Sequence, residues 1–250
     1  MTPAIECEHV EKRFGDVVAV SEVSFAVARG ATCALLGGNG AGKTTTLSML
    51  LGVLLPSSGA VRVLGEDMVA HRYRVIERMN FTSPYVDLPK KLSVVENLMV
   101  FANLYGVRKP RGRVNELIER LDLESLAGRA YGTLSAGQRT RVSIAKSLLN
   151  RPDVLLLDEP TASLDPDMGD RVRTQLETYR RESGATLLLA SHNMLEVERL
   201  CDQVLMMRAG RIVDAGSPTQ LIERYGRATM EEVFLDVARN ADAGNATAAS

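Results

Sequence analysis

Apolar and polar positions change rhythm several times along the chain. Ala4–Val10, Val17–Val20 and Val23–Val27 are short runs that mix β-branched with polar residues and are separated by turn residues, which predicts strands. Ala31–Leu36 is a compact apolar run that stops at a cluster of glycines, the pattern of a buried strand ending in a loop. The following TTTLSMLLGVL has apolar residues at helical spacing and stops near Gly52 and Pro56. Residues 57–69 predict a turn and a strand. From about Arg72 to Asn150, strand-like runs nearly vanish and helical spacing takes over in VVENLMVFANLYG, VNELIERLDLESL and QRTRVSIAKSLLN. The mixed pattern resumes at VLLLDEP (154–160). A helix over 167–183, TLLLASH (186–192), a helix to about Cys201 and a hairpin in VLMMRAGRIVDAG follow. From Asn240 the chain is small and polar, which predicts a disordered tail. No internal repeat is visible.

Strands alternating with helices predict an α/β class with a mostly parallel sheet. Ligands in such sheets sit at the carboxyl ends of strands. Residues 37–46, 158–160 and 191–192 all fall at such ends.

The stretch 37–46 reads GGNGAGKTTT, and Gly37 to Thr44 match the spacing Gly, four residues, Gly-Lys-Thr. The physical logic is electrostatic. Glycines allow successive backbone N–H groups to turn inward around an anion, and the next helix adds its positive end. Lys43 places a point charge on the outer phosphates of a nucleotide, and the Thr44 hydroxyl is a ligand for Mg²⁺. Thr45 is either a plain helix residue or a further phosphate contact. In VLLLDEP, four apolar residues end in Asp158 and Glu159. A carboxylate at a strand end suits a metal, so Asp158 is expected to hold Mg²⁺ while Glu159 polarises an attacking water as a general base. LSAGQR (134–139) opens a helix with Ser135 as an N-cap and Gly137 allowing close approach.

Composition removes several function classes. The 250 residues are 45% hydrophobic and carry a formal net charge of −1, so a sizeable core forms and no basic field points to nucleic acid. Cys7, Cys33 and Cys201 are too widely spaced for a metal-ligand pair or a disulfide framework. The opening MTPAIECEHVEKRFGD has no apolar core of the kind a signal peptide carries, and no apolar run approaches the roughly 20 residues of a membrane helix. The chain is therefore expected to be soluble by itself, with another subunit crossing the bilayer if a membrane process is served.

Taken in order, GGNGAGKTT, LSAGQ, LLLDEPTASLD and SH resemble the nucleotide-binding domain of ATP-binding cassette (ABC) transporters, over about residues 4–235. The resemblance implies a P-loop NTPase (RecA-like) core, about 1–78 and 151–225, with an antiparallel β subdomain. It also implies an inserted α-helical subdomain, about 79–150. The whole ABC ATPase domain would span 1–239, with 240–250 as the tail. It further implies that Gly37, Gly38, Asn39, Gly40, Ala41, Gly42, Lys43, Thr44 and Thr45 form the Walker A loop. Val154–Asp158 would be Walker B, with Glu159 the catalytic carboxylate. Ser135, Gly137 and Gln138 would belong to the signature motif, which here has Ala136 where glycine is commoner. Ser163-Leu164-Asp165 would be the D-loop, and His192 the switch histidine near the γ-phosphate. Phe14 would stack on adenine, its alternative being a place in the core.

In the family two copies dimerise head to tail, each ATP lying between one Walker A loop and the other copy's signature. The implied partners are thus a second copy and an integral membrane permease, with no nucleic acid. The implied place is the cytoplasmic face of the inner membrane, as a peripheral subunit. The run GRIVDAGSPTQLIERYGRATMEEVFLDVAR is similar to the short tails of ABC-2-type exporter ATPases, including drug, polysaccharide and nodulation-factor systems, which favours export. The alternatives are a soluble ABC ATPase acting on ribosomes or DNA, an importer ATPase, or a P-loop kinase. Each lacks support in the inserts, extra domain or motif set it would bring.

One position departs from the family pattern. A glutamine usually stands between Walker A and the signature, in contact with the metal or its water. The matching position here is Pro84, and no Gln occurs from Thr46 to Thr133. Ser83 or a water is expected to substitute. In the same stretch Tyr85, Val86, Leu88, Leu92 and Leu98 are expected either to line an exposed apolar groove for a permease helix or to pack the helical insert.

Overall fold

The computed structural model describes residues 2–246, with side chains described as far as Ala238. The chain forms two compact units: one of residues up to Arg72 with those from Ala190 on, the other Tyr73–Leu189.

In the first unit β1 (Ile5–Phe14) pairs antiparallel with β2 (Val17–Val27) on one side. On its other side it pairs with β4 (Ser58–Val63), and β5 (Glu66–Asp67) follows at the edge. The period of two is visible in β2, where Val23, Phe25 and Val27 are buried and Glu22, Ser24 and Ala26 are exposed. β3 (Thr32–Leu36) is buried at every position and pairs parallel with β9 (Gln203–Arg208). β9 turns back antiparallel as β10 (Arg211–Gly216). The two turn residues, Ala209 (φ 46°) and Gly210 (φ 77°), are both left-handed, as a tight two-residue hairpin requires. α1 (Lys43–Leu50), α6 (Met194–Leu200), α7 (Pro218–Tyr225) and α8 (Met230–Ala246) complete the unit, α8 packing on α6 and α7.

In the second unit β6 (Met79–Thr82) runs parallel to β7 (Val154–Asp158), and β8 (Thr186–Ser191) flanks β7 on its other side. Its helices are α2 (Val94–Leu104), α3 (Pro110–Arg120), α4 (Ala136–Leu148) and α5 (Pro166–Ser183). Their starts are set by sequence. Ser93 with Glu96 and Ser135 with Gln138 form reciprocal capping boxes, and Asp165 caps α5 ahead of Pro166. α5 ends at Gly184 in the left-handed conformation. Leu98, Val114, Leu117 and Ile144, drawn from α2, α3 and α4, are fully or almost fully buried.

Several expectations shift in detail. The two short runs at 17–20 and 23–27 are one continuous strand, because both runs pair with β1 on either side of an irregularity at Ser21 and Glu22. β6 interrupts the stretch read as helical. Four residues are too few to show a period, and pairing with β7 makes them a strand. α8 continues through Ala246, past Asn240, in a segment whose alanines at 241, 243 and 246 favour helix. The remainder of the expected tail, 247–250, lies outside the described residues. Of the groove candidates, Leu88 and Leu98 are buried in the unit, whereas Tyr85 and Val86 are 85% and 49% exposed. Among the described residues no helix is long and apolar enough to cross a membrane.

Lys146 of α4 is the unusual charge in the second unit. Its Nζ donates to Asn80 Oδ1 (3.3 Å) and Phe81 O (3.1 Å) and lies 5.7 and 5.8 Å from the ring centres of Phe101 and Tyr105. Burial pushes this ammonium down to about 8. Because the folded state holds the proton less tightly than the unfolded chain, burial of the charge opposes folding below about pH 8. That penalty fades as pH rises from there towards the ordinary lysine value near 10.4. The urea-unfolding free energy is therefore expected to gain with pH between about 8 and 10. This increment should be absent from Lys146→Met measured at the same pH values.

Candidate functional site

The loop from Gly37 to Gly42 joins β3 to α1 and has no room for a side chain at either end, Gly37 or Gly42, while Gly38 and Gly40 face open space. A Cβ at Gly37 would stand 2.5 Å from Met207 O and 2.8 Å from Ala41 Cβ. Gly42 adopts φ 103°, and a Cβ there would stand 2.9 Å from Ala19 O. Ala41 N donates to Gly38 O (3.2 Å) and Gly210 N to Ala41 O (3.0 Å), so the β9–β10 turn and β2 form the loop's wall. Met207, Gly210 and Ala19 carry none of the expected motifs. Their one visible signal was the Ala-Gly turn of the hairpin.

α1 starts at Lys43 with no side-chain cap, so the positive end of its dipole faces the loop. Lys43 Nζ donates to Gly37 O (2.5 Å) and Gly38 O (3.2 Å), which fixes the ammonium on the loop's inner side. Gly38, Asn39, Gly40 and Thr44 are exposed, and Thr45 is half-buried. Thr46 is buried and donates its hydroxyl to Gly42 O (2.9 Å), a packing role. Phe14 is 50% exposed, so its ring is not core. It pairs with Val17, two residues before Ala19, and Lys12 Nζ lies 5.1 Å from its ring centre. His192, also exposed, follows the end of β8 and is bracketed by a hydrogen-bonded brace. Ser191 Oγ donates to Glu196 Oε2 (2.6 Å), Asn193 N donates to Ser191 Oγ (3.0 Å), and Glu196 N donates to Asn193 Oδ1 (3.4 Å). Glu196 is 0% exposed, and nothing in its sequence context marked it.

In the second unit the parallel register ends at Thr82↔Leu157, which sets Ser83 beside Asp158. Both are buried, and Ser83 Oγ donates to Asp158 Oδ2 (3.2 Å). Glu159 adopts φ 49°, a left-handed backbone that costs ~1–3 kcal/mol for a non-glycine residue. A cavity of about 120 Å³ is lined by Ser83, Pro84, Asp158, Glu159, Ala136 and Ser163, among others. At the start of α4, Ser135 and Ala136 are exposed. A Cβ at Gly137 would stand 3.1 Å from Ser163 O, which explains the close packing of the signature turn on the 163–165 loop. Ser135 N and Gln138 Oε1 form one arm of the capping box (3.0 Å), so Gln138 orders the turn. The loop at 37–45, Phe14 and His192 thus belong to the first unit, and Asp158, Glu159, Ser135, Gly137 and Gln138 to the second.

A glycine-rich loop between a buried strand and an uncapped helix, ending in lysine, has the form of a phosphate-binding loop. The ABC transporter family model matches residues 20–162. The "Nod factor export ATP-binding protein I" of Ralstonia nicotianae is 39% identical over 237 residues, 94% of this chain and 74% of that protein. The chain belongs to the ABC transporter family. A solved ATP-binding subunit of an ABC transporter superposes with a TM-score of 0.86 at 24% identity, covering 94% of this chain and 99% of that one. A dimeric ATP-binding cassette solved in a post-hydrolysis state with ADP and Pi gives 0.78 at 22% identity, covering 85% and 98%. Both show the same fold. This chain is the ATP-binding, ATP-hydrolysing subunit of such a transporter.

Two outcomes follow from the geometry. Gly37→Ala forces the loop off the Met207 carbonyl and is expected to weaken ATP binding by at least about tenfold, ~1.4 kcal/mol, in a fluorescent-nucleotide titration. Glu196→Ala removes the acceptor of the Ser191 hydroxyl and is expected to cost about 2 kcal/mol in urea unfolding, with Glu196→Gln, which keeps an acceptor, costing less than half of that.

Proposed function

We propose that this subunit powers export through a separate membrane-spanning permease, working as a head-to-tail homodimer that closes on two ATP molecules. The observation that carries the reading is the loop at Gly37–Lys43, whose two ends exclude a side chain, whose middle is open and whose lysine is tied back to the loop, a shape suited to a polyphosphate. Relatives named for Nod factor export support the direction of transport. The exposed Ser135 and Ala136 at the start of α4 support the dimer, since a signature that faces outward is available to a second copy. The dimeric cassette of the same fold adds to this.

In this reading the loop amides and Lys43 bind the β- and γ-phosphates, and Phe14 stacks on adenine. Ser135, Gly137 and Gln138 face the nucleotide held by the partner copy. Thr44 and Asp158 would hold Mg²⁺, which the chemistry of the donors suits. Mg²⁺ takes one or two carboxylates together with phosphate oxygens, and Asp158 is a buried carboxylate at a strand end with a hydroxyl beside it. Bound Mg²⁺ neutralises charge on the phosphate oxygens. Glu159 takes the proton of the attacking water, and His192 steadies the γ-phosphate side. Tyr85 and Val86 offer exposed apolar contact for a short helix of the permease. The subunit thereby sits at the cytoplasmic face of the inner membrane.

With ATP, Glu159→Gln is expected to double its mass by light scattering while turnover falls by about a hundredfold or more. Lys43→Ala is expected to remain single under the same conditions. A Glu159→Gln protein that stays single at saturating ATP contradicts the sandwich.

A further inference from the structure

We propose that the Ser83 hydroxyl is the second oxygen that the Tyr73–Leu189 unit supplies, beside Asp158, to the coordination sphere of the divalent metal carried by ATP. It thereby does the work expected of a glutamine at the position occupied by Pro84. The inference rests on the nucleotide reading of the site and assigns a residue to it.

Strand register places the group. Parallel pairing of Met79–Thr82 with Val154–Leu157 brings the next residue of each strand, Ser83 and Asp158, to the same sheet end. Their contact at 3.2 Å is therefore built by the sheet rather than by a chance rotamer. Ser83 is only 6% exposed, and a serine in such a place must have its hydrogen bonds met. A hydroxyl has one proton and two lone pairs. The proton goes to Asp158 Oδ2, and one lone pair accepts from Tyr85 N (3.3 Å). The second lone pair is left over for an electrophile or a water proton. The cavity beside it, about 120 Å³, is bordered by the carboxylates of Asp87, Asp158 and Glu159 against one cation, Arg139, a net negative lining that suits a hydrated cation. A liquid water takes ≈ 30 Å³, so the space accommodates an ion with part of its water shell. Pro84 brings neither an N–H nor a polar side chain into this space. Ser83 is thus the hydroxyl of this turn already bonded to the Asp158 carboxylate.

The test uses the full chain in the Glu159→Gln background, which keeps the nucleotide bound. Mn²⁺ is titrated into the ATP-saturated protein with free Mn²⁺ read by electron paramagnetic resonance, and ATP affinity is measured separately in EDTA. Ser83→Ala is expected to hold Mn²⁺ about tenfold more weakly, the loss typical when a partner of a metal site is removed. Ser83→Thr, which keeps the hydroxyl, is expected to stay within about twofold of the parent. All three should bind ATP equally in EDTA. Unchanged Mn²⁺ affinity in Ser83→Ala overturns the proposal, while tight Mn²⁺–ATP binding by the parent leaves the nucleotide reading standing. Equal losses in the Ala and Thr variants, or an equal loss of metal-free ATP binding, assign Ser83 to packing and also overturn it. A parent that binds no ATP overturns both.

Discussion

Everything at the nucleotide end of the first unit depends on one close approach: the backbone at Gly37 against the carbonyl of Met207. No side chain fits there, so the chain leaving β3 is pinned to the β9–β10 hairpin before it turns into α1. Pinning sets where the loop amides lie and where the helix dipole begins, and Lys43 is tied to the same loop by two carbonyls. The arrangement breaks local rules. α1 begins without a side-chain cap, an omission worth about 1 kcal/mol, and Gly42 takes a backbone open to few other residues. The buried strands β3 and β9 on which the loop is built offset this. Rules of local consistency fail where function demands it.

The second unit meets the same demand by a different device. There the strand register, not a glycine, puts polar atoms at the sheet end: Ser83 and Asp158 follow the last paired residues of β6 and β7. Immediately beyond, Glu159 is held in a left-handed conformation and the chain turns at Thr161–Leu164. The strain falls on the one residue assigned to activate water. The turn at 134–138 is then set against this segment by the absence of a side chain at Gly137, so the start of α4 packs directly on the 163–165 loop. The starts of α2, α4 and α5 each carry a side-chain cap of their own, set by residues outside the strained turn at Glu159.

Much of this was legible beforehand. β3, β7 and β8 are continuous apolar runs ending in chemistry-bearing residues. The glycine-lysine spacing, LSAGQ and the paired carboxylates each state a requirement that few other folds impose. What escaped was whatever depends on a neighbour remote in sequence. β6 is four residues with no period of its own. Ala19 and Met207 look like packing residues because their contribution is a carbonyl. Glu196 looks like a surface acid on a short helix, yet it is buried under the hydroxyl of Ser191. Leu88 and Leu98 have the composition of a groove and the position of a core.

By itself, the sequence determined the family, the order of the elements and the residue types that meet a nucleotide, because glycine, lysine, serine caps and carboxylates act through local backbone and charge. Only the tertiary structure decided which carbonyls exclude a side chain at Gly37, which hydroxyl leans on Asp158, and which exposed apolar residues remain once the helices pack. Those are distances between strands and turns far apart in the chain, and no periodicity within one segment encodes them.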